Sequence, residues 1–301
     1  MKNPLLAPVL LLLIAPGLAQ TAQPKPVAAL ETAPGAVNLY FTVRDSSGAL
    51  LANLPQESFQ VREEGRPQNI RYFSSKSNAP LTLGLLLETS GYMRGALLTE
   101  KSTAADFIRI VSPQDLAFIM SFDMSADLLQ DLTSDVRLLR NAVDKATINT
   151  GGRSGGRAAI TLHDAVFLAA DEILRKQAGR KILVILTSGM DQGSKVKLKE
   201  AIEAAQRADA ICYVVLFFHR PGSSGPDIRE LAEQTGGRAF AATNPAQLTD
   251  ALSHIVNEMR SFYRVSYIPD NPGPADSFRR IEITSHEGHR VQVRKGYYPQ
   301  P

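Results

Sequence analysis

The stretch LGLLLETSGYMRG ends an apolar run in a carboxylate, two hydroxyls, a glycine and a tyrosine, Glu88-Thr89-Ser90-Gly91-Tyr92. An acid beside hydroxyls at the tip of a buried strand offers the hard oxygen donors that a cation such as Mg²⁺ takes. A second apolar run, KILVIL, ends in Thr187-Ser188-Gly189. Between the two, the glycine-rich loop from Thr150 to Arg157 carries Arg153 and Arg157 and opens onto a helix beginning near Thr161. A guanidinium keeps its charge and grips a carboxylate with two parallel hydrogen bonds, so this loop could hold a partner's acidic side chain without any metal.

These groups need a frame that brings them together. LTLGLLL, from Leu81, is apolar at nearly every position, as a parallel strand covered on both faces should be, and ALLTEKSTAADFIRIV follows with apolar residues at helical spacing. DLAFIMSFD and ADLLQDL read as strands, DVRLLRNAVDKA and TLHDAVFLAADEILRK as helices, and KILVILT and AICYVVLF as further buried strands. The alternation continues to PAQLTDALSHIVNEMRSF, and it predicts an α/β domain with a doubly wound, mostly parallel sheet over 80–261. In such a sheet ligands sit outside the carboxyl ends of the strands, so Glu88 and Ser188 should face one crevice with the glycine-rich loop as a third wall.

The flanking segments are different. VNLYFTVRD, SFQVREEG and RPQNIRYF alternate apolar and polar residues, with Gly65 at a hairpin turn, and FYRVSYIP, SFRRIEITS and HRVQVRKGYY do the same after the α/β block. Neither flank can bury a core alone. They are expected to pair as one discontinuous β-sandwich, 36–76 with 262–299, into which the α/β domain is inserted. Residues 20–35, rich in Ala and Pro, read as a linker.

Here the chain resembles the von Willebrand factor type A domain, and more closely the secreted proteins of the acidobacterial type that carry it. The resemblance runs from about Val37 to Tyr298 and rests on the α/β alternation, on LPQESFQVREEGRPQNIRYF ahead of it and on the closing RKGYY. It implies a metal-ion-dependent adhesion site, in which Mg²⁺ completes its coordination with a partner's carboxylate. That site is written Asp-x-Ser-x-Ser, then a Thr before Leu-x-Asp-Ala, then an Asp in a Thr-Asp-Gly turn. In this sequence Glu88 stands for the first Asp, Ser90 is kept, Tyr92 replaces the second Ser, Ile160 falls where the Thr belongs with Thr161 one place late, and Ser188 replaces the last Asp. Mg²⁺ demands near-octahedral oxygen ligands at about 2.0–2.1 Å. Tyr92 and Ile160 cannot supply them, and Ser188 removes a negative charge. The expectation is a degenerate site with Glu88, Ser90 and Thr161 as its remaining metal ligands and no cofactor.

Other motifs lead elsewhere. Gly152-Arg153-Ser154-Gly155-Gly156 fits the G-x-S-x-G nucleophile elbow, whose Ser154 would be a hydrolase nucleophile, but the elbow needs a strand directly before it and a helix and ATINT precede this one. As a phosphate loop the same glycines lack the lysine and the hydroxyl, having Arg157 and Ala158. Thr161-Leu162-His163-Asp164 reads as a helix capping box, and Asp191 as a solvated turn aspartate. The five histidines form no zinc cluster, and Glu63-Glu64 belongs to a hairpin turn. Cys212, the sole cysteine, sits in an apolar strand and reads as an inert buried thiol.

A net charge of +3, from 33 basic and 30 acidic residues that are interspersed, argues against nucleic acid as a partner. Residues 1–19, with one lysine, an apolar run from Leu5 to Ile14 and Gly17-Leu18-Ala19, read as a secretory signal peptide too short to span a bilayer. The sequence therefore describes a secreted or periplasmic, non-enzymatic module with no membrane span after cleavage. It would bind a protein partner at a rim formed by Glu88, Ser90, Tyr92, Met93, Arg94, Arg153, Arg157, Thr161 and Ser188.

Overall fold

The computed structural model describes residues 35–76, 79–149, 159–217, 225–271, 273–274 and 276–299. The chain begins with β1 (Val37–Arg44), β2 (Phe59–Glu63), β3 (Arg66–Gln68) and β4 (Tyr72–Ser74). The β2–β3 turn puts both Glu64 and Gly65 at positive φ, 49° and 77°, the backbone that matches the right-handed twist of a tight hairpin. RPQNIRYF, expected as one strand, breaks in the middle: β3 pairs with β2, whereas β4 leaves for another sheet.

The α/β block follows as β5 (Leu81–Glu88), α1 (Leu97–Phe107), β6 (Leu116–Phe122), β7 (Ala126–Thr133), α2 (Val136–Lys145), α3 (Leu162–Leu168), β8 (Arg180–Thr187), α4 (Leu198–Arg207), β9 (Ala210–Phe217), α5 (Gly225–Thr235), β10 (Ala239–Ala242) and α6 (Pro245–Arg260). Six strands run in the order β10-β9-β8-β5-β6-β7, all parallel except β7. Every residue of β5 and β9 is buried, because helices cover both faces of the sheet. Leu83, Leu85 and Leu87 point to one face, with Phe107, Leu139 and Ile255 from α1, α2 and α6. Leu86, Leu183 and Ile185 point to the other, with Val166, Ala205 and Leu231 from α3, α4 and α5. Each such leucine, wholly removed from water, contributes about 1.5–3 kcal/mol.

The tail forms β11 (Tyr263–Tyr267), β12 (Arg279–Ser285), β13 (Arg290–Gln292) and β14 (Gly296–Tyr297). Strands from both ends of the chain interleave in two antiparallel sheets, β13-β1-β11-β4 and β14-β12-β2-β3. HRVQVRKGYY, expected as one strand, also divides: β13 pairs with β1 and β14 with β12, so the chain turns a corner from one sheet to the other. Between the sheets Phe41 stacks on Tyr263 at 5.2 Å and meets Phe59 edge-on at 5.1 Å. The fully buried Glu63 carboxylate is satisfied there by Arg279 and by the Tyr267 hydroxyl at 2.6 Å. No described helix is long and apolar enough to cross a membrane.

Candidate functional site

Glu88 is the last residue of β5 and is completely buried. Its carboxylate accepts from the Ser90 hydroxyl at 2.5 Å, the Thr187 hydroxyl at 2.7 Å and the Ser188 N–H at 2.7 Å, and the Ser188 hydroxyl lies 2.9 Å from both of its oxygens. Three hydroxyls and one amide match the roughly four acceptor positions a carboxylate owns. The length of the side chain explains the arrangement. Neighbouring strands stand about 4.8 Å apart, and the extra methylene of a glutamate carries the carboxylate from the end of β5 to the turn after β8.

A second carboxylate completes the crevice floor. Asp123 follows β6 directly, is buried, and accepts from the Thr89 hydroxyl at 2.7 Å, the Asn149 amide at 2.9 Å and the Met124 N–H at 2.5 Å. Its main-chain oxygen accepts both the N–H of Thr161 at 2.8 Å and its hydroxyl at 3.0 Å. Asp123 was not among the residues expected from the sequence. The signal was present, since FIMSFD ends one strand over from Glu88 and at the same height, Glu88 being registered with Phe122.

Three expectations are corrected. Thr161 does not cap its helix: it makes no side-chain cap bond, because its hydroxyl is turned to Asp123. The first turn of α3 is held instead by Asp191, which accepts from the Leu162 N–H at 3.1 Å, while Asp164 accepts from the N–H groups of Lys195 and Val196 at 2.9 and 2.8 Å. Asp191 is accordingly no solvated turn residue. The segment after β8 folds back over α3, placing Asp191 3.0 Å from Nδ1 of His163 and 2.6 Å from the Ser194 hydroxyl. Burial alone would raise its carboxyl, but the bonds from His163 and Ser194 outweigh that and hold it below the usual carboxylate range. Met93, expected at the rim, is fully buried, since the single 3₁₀ turn Gly91–Met93 points it into the core.

Tyr92 is half-buried against the apolar cluster under the crevice, and its N–H donates to the Ser90 hydroxyl at 3.2 Å. Arg94 is exposed beside it. Arg153, Ser154 and Arg157 lie outside the described residues, as do residues 1–19, expected as a signal peptide, and all but Gly35 of the segment 20–35, expected as a linker. Below Glu88, the α1 side chain of Glu100 is fully buried with both oxygens lacking a hydrogen-bond partner. Burial, and then the charge of Glu88, push its carboxyl well above the usual range.

Comparison with known proteins places this geometry. The profile of the von Willebrand factor type A domain matches residues 84–254, more than half of the 301-residue chain. The chain belongs to that family. No curated protein sequence matches it. Among solved structures, a von Willebrand factor type A protein from Catenulispora acidiphila is similar at 12% identity and TM-score 0.52, covering 87% of this chain and 72% of that one. Proximal thread matrix protein 1 from the mussel byssus is similar at 12% identity and TM-score 0.53, covering 63% of this chain and 48% of that one, so the likeness spans about half of the mussel protein. A form of the mussel protein with a zinc-occupied MIDAS motif is similar at 13% identity and TM-score 0.53, over 62% of this chain and 48% of that one. At these identities the likeness shows the von Willebrand A fold.

The von Willebrand A fold brings the ends of β5, β6 and β8 together, and the family's metal would sit over them. The donors here suit such an ion poorly. The carboxylate of Glu88 is saturated by internal donors, the hydroxyls of Ser90 and Ser188 are turned to it, and that of Thr161 is engaged by Asp123. Ile160 is an apolar core residue.

Proposed function

We propose that this von Willebrand A protein is an exported, non-enzymatic binding module of adhesion type whose crevice grips a protein partner through side chains alone. The α/β domain of 80–261 would do the binding, and the sandwich of 36–76 and 262–299 would carry it. The observation that supports this reading best is the saturated carboxylate of Glu88, which has no acceptor left to coordinate a cation without breaking several buried hydrogen bonds. Tyr92 and Arg94 at the rim, with Arg153 and Arg157 from the glycine-rich loop, are the aromatic and guanidinium anchors that protein interfaces favour, and the arginines suit an acidic side chain of the partner. Export rests on the leader-like residues 1–19. A thread matrix protein of the mussel byssus among the structures that share the fold is in keeping with an adhesive role.

The test has two parts. Calorimetric titration with Mg²⁺ and Mn²⁺ should give no saturable heat. A partner captured from the envelope fraction of the producing cells should stay bound in excess chelator and be released by R153E/R157E. Release by chelator, or a stoichiometric Mn²⁺ isotherm, would overturn the metal-free reading in favour of a weakened divalent-metal adhesion site at Glu88, Ser90 and Thr161.

A further inference from the structure

At the amino end of the sheet, away from the crevice, a cleft of about 420 Å³ opens between the α/β block and the β-sandwich. Arg44 enters it from the end of β1, Arg229 and Glu233 from α5, Arg238 from just before β10, and Arg290 and Lys295 from around β13. Two of these guanidiniums are tied to one buried carboxylate. Glu258 of α6, without exposed surface, receives Arg44 at 2.5 Å and Arg238 at 2.6 Å on the same oxygen, and the Tyr213 hydroxyl at 3.1 Å on the other. Two guanidiniums thus share one negative charge, and the buried Nε of Arg44 has no partner. Arg229, Arg290 and Lys295 are exposed and form no side-chain hydrogen bond or ion pair among the described residues. Counted together, these five cations against Glu258 and Glu233 leave a net charge of about +3 in one concave place, as much as the formal charge of the whole chain, +3.

The walls are fixed. Gly236, at φ 89°, lets the sandwich backbone come closer than any side chain would allow, since a Cβ there would lie 2.6 Å from the Arg294 nitrogen, and Gly237 packs as tightly on β9, where a Cβ would lie 1.9 Å from the Cys212 oxygen. Across this contact the Lys295 N–H donates to the Gln234 carbonyl at 3.1 Å, and the Gln292 amide to the Gly236 carbonyl at 2.9 Å. Arg238 is further held over the Phe240 ring at 4.8 Å. Like charges gathered in one cleft repel one another, and such a cluster gains most from a multivalent anion that meets several of them at once. One carboxylate would satisfy a single guanidinium fork. Tetrahedral oxyanions offer three oxygens each and suit a spread of five donors.

We propose that this cleft binds a small polyanion carrying two or more phosphate- or sulfate-type groups, independently of the crevice at Glu88. Isothermal titration of the full chain at roughly 50 mM salt, where surface charges are weakly screened, with tripolyphosphate and separately with a polysulfated disaccharide, tests it. The expected result is one saturable site for at least one of the two probes, the tighter probe marking the phosphoryl or the sulfuryl source. R229A/R290A, two exposed positions, should weaken it by about tenfold or more with an unchanged melting temperature, and E233Q should tighten it. Absence of saturable binding by both probes, or equal affinity in R229A/R290A, overturns the assignment.

Discussion

The Ser188 hydroxyl stands 2.9 Å from each oxygen of Glu88, and the Ser188 N–H donates to one of them at 2.7 Å. A strand-end carboxylate and a turn serine therefore close upon each other across β5 and β8, in the place where the fold family gathers a cation. Glu88→Ala would strand three hydroxyls and an amide in a buried place. The expected loss is about 3 kcal/mol or more, read as a lower denaturant midpoint at unchanged slope, and Glu88→Asp, too short to span the gap, should recover only part of it.

Glu100 gives a prediction of opposite sign. Its folded carboxyl titrates well above its ordinary 4.5, so the folded protein holds a proton that the unfolded chain releases. The resulting stability is complete below pH 4.5 and is lost as pH rises towards the folded value. Glu100→Met removes the unpartnered oxygens and the proton together. The variant should gain on the parent in urea unfolding as pH rises above 4.5, and a difference that stays constant from there to neutral pH would refute the assignment.

Asp191 behaves the other way, because its folded carboxyl lies below its ordinary 3.8. Asp191→Ala takes away the cap on Leu162 and the partner of His163, and should cost about 1–2 kcal/mol near neutral pH. The advantage of the parent protein should shrink as pH falls below 3.8 and through the folded value, measurable as converging unfolding midpoints.

Cys212 is fully buried in β9, and burial pushes its thiol up to about 12. Alkylation by iodoacetamide at pH 8 should therefore follow unfolding. Labelling of the native protein at the rate of a free thiol would show that β9 opens locally.

The sheet was legible because β5, β8 and β9 are covered on both faces, and an unbroken apolar run that stops at polar turn residues suits a buried strand and little else. Glu88 and Ser188 were legible for the same reason, as the first polar groups after such runs. Asp123 stood in an equivalent position, but its partners Thr89, Asn149 and Thr161 come from three separate segments and are joined only by the fold. Thr161 fitted a local capping pattern, and a long-range acceptor won its hydroxyl. The pairing of Asp191 with His163 depends on how the segment after β8 folds back, which no local pattern encodes. The divided strands at β3–β4 and β13–β14 kept their alternation through the corner, so periodicity alone gave no sign that the chain changed sheets.

Ser74 and Arg264, one at the entrance to the α/β block and the other just past its exit, stand opposite each other in the antiparallel pair of β4 and β11. The block is thus a closed loop tied at its base. While that knot holds, its unravelled chain has fewer shapes to explore, which favours refolding. Tension drawn through the two ends of the protein would travel along the sandwich strands and leave the crevice slack.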